Sequence, residues 1–336
     1  MNNEYLISAI ISLFKGEKFI KRRLEDLLTQ TLGNKVEIII IDSNSPENEK
    51  AIIDLFLPNH PNIKYVRTAE TESMYAAWNR GIKLATGKYI TNANADDRLA
   101  GFALEQLCEA LEKDESLGLV YGDYFISPEE NEDFEAAKSK NRRVIVSREF
   151  SQINLFNGYM CGPQSVWRRD IHTKHDIWFD GSFDIAGDYK FVCEVSKRYK
   201  IKRVPGTFGV YFRSKADENK EFQNVGRTLH EAFKIKYDFA KFLIQNDAIK
   251  NETRFLTFLE KIPSKPVLFT SLIWRVFKVE DFAYESVYLF AAILNEQKGD
   301  IAACKKIIDK FQKFSNAKLI FNFNKYLINQ GLIKVD

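Results

Sequence analysis

The sequence is short of the residues that mark several whole classes of protein. Only four cysteines occur in 336 residues, Cys108, Cys161, Cys193 and Cys304, and they lie far apart, with no C-x-x-C pair and no histidine at zinc-ligand spacing. A disulfide scaffold is disfavoured, and a reducing, cytoplasmic compartment is expected. The four histidines, His60, His172, His175 and His230, do not make a ligand set; His172 and His175, three apart beside a charged turn, are expected at the surface. An excess of one charge sign is also lacking. Lys plus Arg number 49 against 46 Asp plus Glu, a net of +3, too little for a dedicated nucleic-acid binder. Long apolar runs are missing too. The run from Leu6 to Phe14 follows Glu4, has no basic segment before it and no small-residue cleavage site after it, so it reads as a strand and not as a signal peptide. The run Val267 to Trp274 is eight residues long, against the roughly 20 needed to span a membrane. No G-x-G-x-x-G follows the first strand, and G-x-x-x-x-G-K-[ST], G-x-S-x-G, H-E-x-x-H and any repeat of fixed period are absent.

What remains is an ordinary globular composition, 45% apolar and 28% charged, on a chain long enough for one large unit with an appendage. Tyr5–Phe14 reads as a buried strand, stopped by Lys15-Gly16. A helix follows, with Phe19, Ile20, Leu24, Leu27 and Leu28 on one face and Lys21, Arg22, Arg23, Glu25 and Asp26 on the rest, ending at Gly33-Asn34. Val36–Ile41 is a second apolar strand, running into the turn formers Asp42-Ser43-Asn44-Ser45-Pro46. The cycle repeats with helix over 47–57, strand over 63–67, helix over 73–85 and strand over 88–92. Further extended segments are expected at 118–126, 164–168 and 201–213, with a charged excursion over 129–143. This alternation predicts an α/β fold with a mostly parallel central sheet and helices on both faces. Ligands then belong at the carboxyl ends of the strands, in the loops after Phe14, Ile41 and Thr91.

The sheet domain is expected to occupy 1–215. Residues 216–336 form a C-terminal helical region, with helical periodicity over 226–260 and 281–330 and Pro263 and Pro266 as punctuation. This region is the basic part, with 19 basic against 15 acidic residues over 217–336. Lys305, Lys306, Lys310, Lys313, Lys318, Lys325 and Lys334 give it a face for a peripheral contact with an anionic membrane, and its helices offer a contact with another copy of the chain. A solvated helix face explains the same lysines more simply.

The segment richest in chemistry is Asn92–Arg98, NANADDR, directly after a strand. Two adjacent carboxylates there suit a divalent cation, since Mg²⁺ and its kin take oxygen ligands and complete their shell with substrate phosphates. An Asp-Asp helix cap is the competing reading. The surrounding residues carry more information. Ala77-Trp78-Asn79-Arg80-Gly81, then Gly87 before a strand, then Asn94-Ala95-Asp96-Asp97, resemble the family 2 glycosyltransferases. So do Ser8–Lys18, Ile38–Ser45 and the stretch from Trp178 to Phe191, WFDGSFDIAGDYKF, in the family's order across most of residues 5–213.

The resemblance implies a GT-A fold, a nucleotide-diphosphate sugar donor, a sugar, glycan or glycolipid acceptor, a divalent cation (Mn²⁺ or Mg²⁺) and inversion at the anomeric carbon. Asn94 stands where the family has the first Asp of Asp-x-Asp, so metal ligation falls to Asp96 and Asp97. The first loop reads Ser12-Leu13-Phe14-Lys15, leaving nucleobase contacts mainly to backbone. Asp42 at its strand end serves a uracil-like imino N–H or caps a helix. Phe14 stacks on the base or packs in the core. Asn79 and Arg80 precede the acidic loop, where Arg80 neutralises phosphate or is a surface charge. Arg213, ending the last strand, is placed to reach the diphosphate. Asp188 is the expected general base, taking the acceptor hydroxyl's proton, with Asp180 and Asp184 as rivals. Expected, then, is a cytoplasmic transferase working in surface polysaccharide or glycoconjugate synthesis, at most peripheral at the inner membrane face. The alternatives are a nucleotidyltransferase on a similar sheet, whose Gly-rich basic loop is missing, and a silent nucleotide-sugar-binding or scaffolding module.

Overall fold

A computed structural model describes residues 5–214, 224–246, 284–311 and 318–332. The chain divides into two compact units, Met1–Phe150 with Met160–Gln223, and Ser151–Tyr159 with Asn224–Asp336.

The first unit is built on a nine-stranded sheet. β1 (Ile7–Leu13) and β2 (Val36–Asp42) are buried almost throughout, as continuous apolar runs covered on both faces must be. β3 (Ile63–Arg67), β2, β1 and β4 (Tyr89–Asn92) lie side by side and parallel. Their crossovers are α1 (Glu17–Leu28), the short α2 (Glu49–Ile53) and α3 (Met74–Leu84). Beyond β4 the sheet is mixed. The remaining strands are β5 (Arg98–Leu99), β6 (Leu117–Ser127), β7 (Val144–Ile145), β8 (Val166–Arg168) and β9 (Lys200–Phe212). β8 runs antiparallel to both β4 and β6, β6 and β9 are parallel, and β5 and β7 add antiparallel edges. Helices α4 (Ala103–Lys113), α5 (Phe134–Ser139), α7 (Asp170–Thr173) and α8 (Gly187–Ser196) complete this unit.

α1 and α4 cover one face, where Ile20, Leu24, Leu104 and Leu107 meet Ile7, Ala9 and Ile38. α3 covers the other face, and Gly81 is what lets it approach: a Cβ there would lie 2.3 Å from Ile10 Cγ2. Gly87 has the same meaning at the start of β4, since its Cβ would fall 2.7 Å from the backbone of Ile7 and Ser8.

In the second unit α9 (Val225–Gln245), α10 (Tyr284–Gln297), α11 (Ile301–Phe311) and α12 (Lys318–Asn329) bury Phe233, Phe239, Leu289, Ile307 and Phe323. They enclose α6 (Gln152–Asn157), a segment from within the 1–215 expected for the sheet domain. Phe156 packs edge-on against Phe290 at 5.0 Å, and Lys236 Nζ donates to Asn157 O at 2.8 Å. Lys305 and Lys306 are exposed on α11. The run 267–274, the prolines at 263 and 266, and Lys313 and Lys334 lie outside the described residues. No helix among the described residues is long and apolar enough to cross a membrane. All four cysteines are buried.

Candidate functional site

Parallel pairing aligns the carboxyl ends of β1, β2 and β4: Leu13 stands opposite Asp42, and Ile10 opposite Asn92. The loops after these strands therefore share one edge, as expected for a ligand site. In the first loop Ser12 is half-buried, and the Phe14 ring is 44% exposed, which removes the core-packing reading for it. The loop is held by a residue that the sequence did not single out. Glu49, fully buried at the start of α2, accepts Gly16 N–H at 2.9 Å and Ser45 Oγ at 2.6 Å, while Ser45 Oγ accepts Lys15 N–H at 2.9 Å. Lys15 is in the left-handed region, at φ 55°.

Asp42 ends β2 with no exposure at all. Its carboxylate accepts Ser45 N–H at 2.8 Å, Tyr65 Oη at 2.6 Å and Arg67 Nη1 at 2.7 Å. Arg67 in turn donates to Asn44 Oδ1 and Ser45 O at 3.0 and 2.8 Å. Asp42 thus organises a guanidinium and a phenol at this edge. Burial and the Asp42 carboxylate push the Tyr65 hydroxyl up to about 12. Tyr65 and Arg67 alternate along β3, a spacing of two that puts both on one face.

The two neighbouring carboxylates after β4 have different surroundings. Asp97 is buried and accepts Phe212 N–H at 3.2 Å and Asn94 Nδ2 at 3.1 Å. Burial and Asp96 push its carboxyl well up, against the pull of Arg23, Phe212 and Asn94. Asp96 is half-buried, and burial raises its carboxyl too, opposed by Arg23 and Lys18. Arg23, expected on the polar face of α1, is instead 1% exposed; its Nη1 donates to Asp97 O at 3.3 Å and its buried Nε has no hydrogen-bond partner. It falls on the same helical stripe as Ile20, Leu24 and Leu27, and a charge on an apolar stripe is the signal that marks it. The Phe212 bond brings the end of β9, and with it the exposed Arg213, to the acidic loop.

No group of three or more His, Cys, Asp or Glu able to hold a metal occurs among the described residues. The donors present are the Asp96 carboxylate and the Asn94 amide oxygen, whose own Nδ2 is turned to Asp97. One carboxylate and an amide oxygen at a strand end fit an Mg²⁺-like ion that draws most of its ligands from phosphates and water.

α3 leaves the carboxyl end of β3, so its first turn lies at this same edge. In this structure Asn79 and Arg80 both bond within the protein. The Asn79 side chain accepts Phe179 N–H at 3.1 Å and donates to Phe179 O at 2.8 Å. Arg80 makes a two-point ion pair with Glu72, both bonds 2.9 Å, on the surface. Tyr75 Oη accepts Gly187 N–H at 2.9 Å, which ties the start of α8, and so Asp188, to the edge. Asp188 is half-buried and accepts Tyr189 N–H at 2.7 Å. Burial and then the Asp188 charge push the buried Cys161 thiol well up. Of its rivals, Asp184 is exposed, and Asp180 accepts Ser182 N–H at 2.9 Å within a turn.

His172 corrects an expectation. It is 1% exposed, accepts Trp167 Nε1 at 2.8 Å and lies parallel to Phe191, and burial pushes its imidazole down to about 4. His175 is exposed, as expected.

Comparison with known proteins agrees with this fold. The family model for glycosyl transferase family 2 matches residues 8–176, half of the chain. The glycosyltransferase YibD of Escherichia coli (strain K12) is 29% identical over 185 residues, covering 53% of each chain. The poly(ribitol-phosphate) beta-glucosyltransferase of Bacillus spizizenii is 24% identical over 63% of this chain and 32% of its own. The match spans about half the length of the first curated relatives. Among solved structures, S. aureus TarS 1–349 in complex with UDP-GlcNAc aligns with a TM-score of 0.62 at 15% identity, over 97% of this chain and 92% of that one. The mannosyltransferase PcManGT of Pyrobaculum calidifontis, in complex with GDP-Man and Mn²⁺, aligns with a TM-score of 0.52 at 14% identity, over 98% and 89%. At such identities the structures speak for the fold, and the family model speaks for descent: the chain belongs to glycosyl transferase family 2.

Proposed function

We propose that this chain transfers a sugar from a nucleoside-diphosphate donor to an acceptor hydroxyl with inversion at the anomeric carbon. The observation that carries the reading is that Asp42 ends β2, Asp96 follows β4 in its loop, and Asp188 stands in the first turn of α8, whose Gly187 N–H bonds Tyr75 at the start of α3. Asp188 acts as the general base: it removes the proton as the hydroxyl oxygen bonds to the anomeric carbon, and the bond from that carbon to the diphosphate oxygen breaks on the opposite face. Asp96 and the Asn94 oxygen would hold a divalent cation, which would supply stabilisation of the charge on the leaving diphosphate. Asp97 supports the loop from below, and Arg213 reaches the diphosphate from the end of β9. Phe14 stacks on the nucleobase. Asp42 presents Arg67 and Tyr65 to the base and ribose, so its own part is indirect. Ser12 lines the same loop.

Complexes of TarS with UDP-GlcNAc and of PcManGT with GDP-Man and Mn²⁺ support the donor class and the cation. The relative named as a poly(ribitol-phosphate) beta-glucosyltransferase supports a polymer acceptor, and with it a role in surface polysaccharide or glycoconjugate synthesis. The sheet unit is the catalytic part, and the helical unit is left for acceptor, membrane or self-association.

The test is thermal unfolding with UDP, GDP, CDP and dTDP, each with and without Mn²⁺, repeated on Asp96→Ala. A ligand that binds only the native state raises stability by RT ln(1 + [L]/Kd). A Mn²⁺-dependent shift for one nucleotide, absent in the variant, is expected. No shift with any nucleotide at millimolar concentration removes the donor site, and a shift without any sugar turnover favours the silent binding module.

A further inference from the structure

Two residues one helical turn apart on α3, Tyr75 and Asn79, hold the two ends of the segment leading into α8. Between α7 and α8 the chain, from 174 to 186, has no helix or strand of its own. Some of its backbone groups bond within the segment or back to α7, and others are fixed by side chains from outside. At one end both backbone groups of Phe179 bond the Asn79 side chain, at 3.1 and 2.8 Å. At the other, Tyr75 Oη donates to Ile185 O at 2.7 Å and accepts Gly187 N–H at 2.9 Å. The second bond fills a specific need. The first N–H groups of a helix have no partner within it, and the N-cap of α8 is Ala186, which has no side chain able to accept. Tyr75, 112 residues earlier, supplies the missing cap. Ring packing closes the seam: Phe179 lies parallel to Tyr75, with 6.0 Å between centroids and 9° between planes, and edge-on to Trp78 at 5.0 Å. Gly187 completes the fit, because a Cβ there would fall 2.6 Å from the Tyr75 ring.

The residue after Gly187 is Asp188. We propose that Tyr75 and Asn79 are positioning residues that set the Asp188 carboxylate at the carboxyl edge of the sheet, an inference that rests on Asp188 acting as general base. The motif Tyr75-Ala76-Ala77-Trp78-Asn79 thereby serves the acceptor half of the reaction through the α8 terminus, rather than the nucleotide. Binding of the donor is left to the loops after β1, β2 and β4, which the seam does not hold. Loss of the clamp should slow turnover without weakening donor binding.

Tyr75→Phe removes the hydroxyl and keeps the ring, and Asn79→Ala releases the other end. Amide hydrogen exchange of the full chain is the first measurement, and it needs no substrate. Tyr75→Phe should speed exchange at 186–189 by about tenfold, the scale of one lost hydrogen bond, and leave β1 and β2 unchanged. Turnover is read as UDP or GDP release from UDP-GlcNAc and GDP-mannose with Mn²⁺, with water as acceptor. There kcat should fall about 10- to 100-fold, with donor KM and nucleotide Kd held within twofold. Unchanged exchange at 186–189 overturns the clamp, as does a Tyr75→Phe enzyme with native kcat. Faster exchange throughout the unit, with KM and kcat both impaired, reduces Tyr75 to a folding residue and also overturns it. An Asp188→Asn enzyme as fast as the native one overturns the base assignment instead, a result distinct from either failure of the clamp.

Discussion

Asp26 on α1 and Arg98 on β5 form a two-point ion pair, with Arg98 Nε and Nη2 donating at 2.5 and 2.6 Å and side chains only 11% and 7% exposed. Asp26 also accepts Leu99 N–H at 3.1 Å, and Arg98 Nη1 donates to Asn131 O at 2.6 Å. The pair locks the helix after the first loop to the strand after the acidic loop. Arg98→Met leaves the Asp26 carboxylate buried without its partner, which should cost about 3–5 kcal/mol. Asp26→Leu added to it should restore much of the loss. Urea unfolding of the three proteins checks both.

Asp97 and Asp96 should separate cleanly under substitution. Asp97→Asn removes one of the charges that, after Asp26, face buried Arg23, and puts an N–H donor where Asn94 or Phe212 now donates. Stability should fall by about 2–3 kcal/mol. Asp96→Asn should melt within a degree or two of the native protein and lose the Mn²⁺ response. Calorimetry of both variants with and without Mn²⁺ reads the difference.

Asp42→Asn should weaken nucleotide binding without touching the nucleotide directly. The amide cannot accept both Tyr65 and Arg67 on a charged oxygen, and charge-assisted bonds of this kind are worth about 1.5–3 kcal/mol. The expected result is a Kd for nucleoside diphosphate raised about tenfold, measured by titration calorimetry, with β-sheet content unchanged by circular dichroism.

His172 gives the fold an acid-sensitive point. Its folded value, about 4, lies below the ordinary 6.5, so the unfolded chain takes up a proton there before the folded one does. Stability is complete above pH 6.5, falls as pH drops towards 4, and changes no further from this group below that. The loss over that window should total about 3 kcal/mol. His172→Gln keeps an acceptor for Trp167 Nε1, and its urea midpoint should vary less between pH 7 and pH 4 than that of the native protein.

Gly87→Ala should be costly although glycine and alanine differ by one methyl. The new Cβ meets backbone atoms of β1 at 2.7 Å, which cannot rotate away as a side chain would. A loss of about 1–3 kcal/mol is expected, seen as a lower melting temperature with the site chemistry unchanged.

The fold was legible where neighbouring residues carry the signal. The apolar run at 36–41, the short strand expected over 63–67 and the helix expected over 73–85 correspond to β2, β3 and α3 within a residue or two, whereas α1 stops at Leu28, short of the Gly33-Asn34 expected to end it. Beyond β4 the extended segments expected at 118–126, 164–168 and 201–213 correspond to β6, β8 and β9, but β5 and β7 are two residues long and carry no period to read. Their antiparallel pairings follow from long-range register. Residues 151–159 read as part of the sheet domain because nothing local distinguishes a helical turn that belongs to one core from a turn that belongs to another.

The sequence by itself determined that a parallel sheet would present its polar loops after Phe14, Ile41 and Thr91, since strand and helix periods are properties of adjacent residues. Which charges in those loops are bonded within the protein was decided only by tertiary structure. Arg23 and Asp97, Asn79 and Phe179, Tyr75 and Gly187, and Asp97 and Phe212 are partners 74 to 115 residues apart. A carboxylate or amide is engaged according to what a distant segment brings to it, so Asp96 and Asp97, alike and adjacent in sequence, end with one half-buried and the other buried and bonded to Phe212 and Asn94.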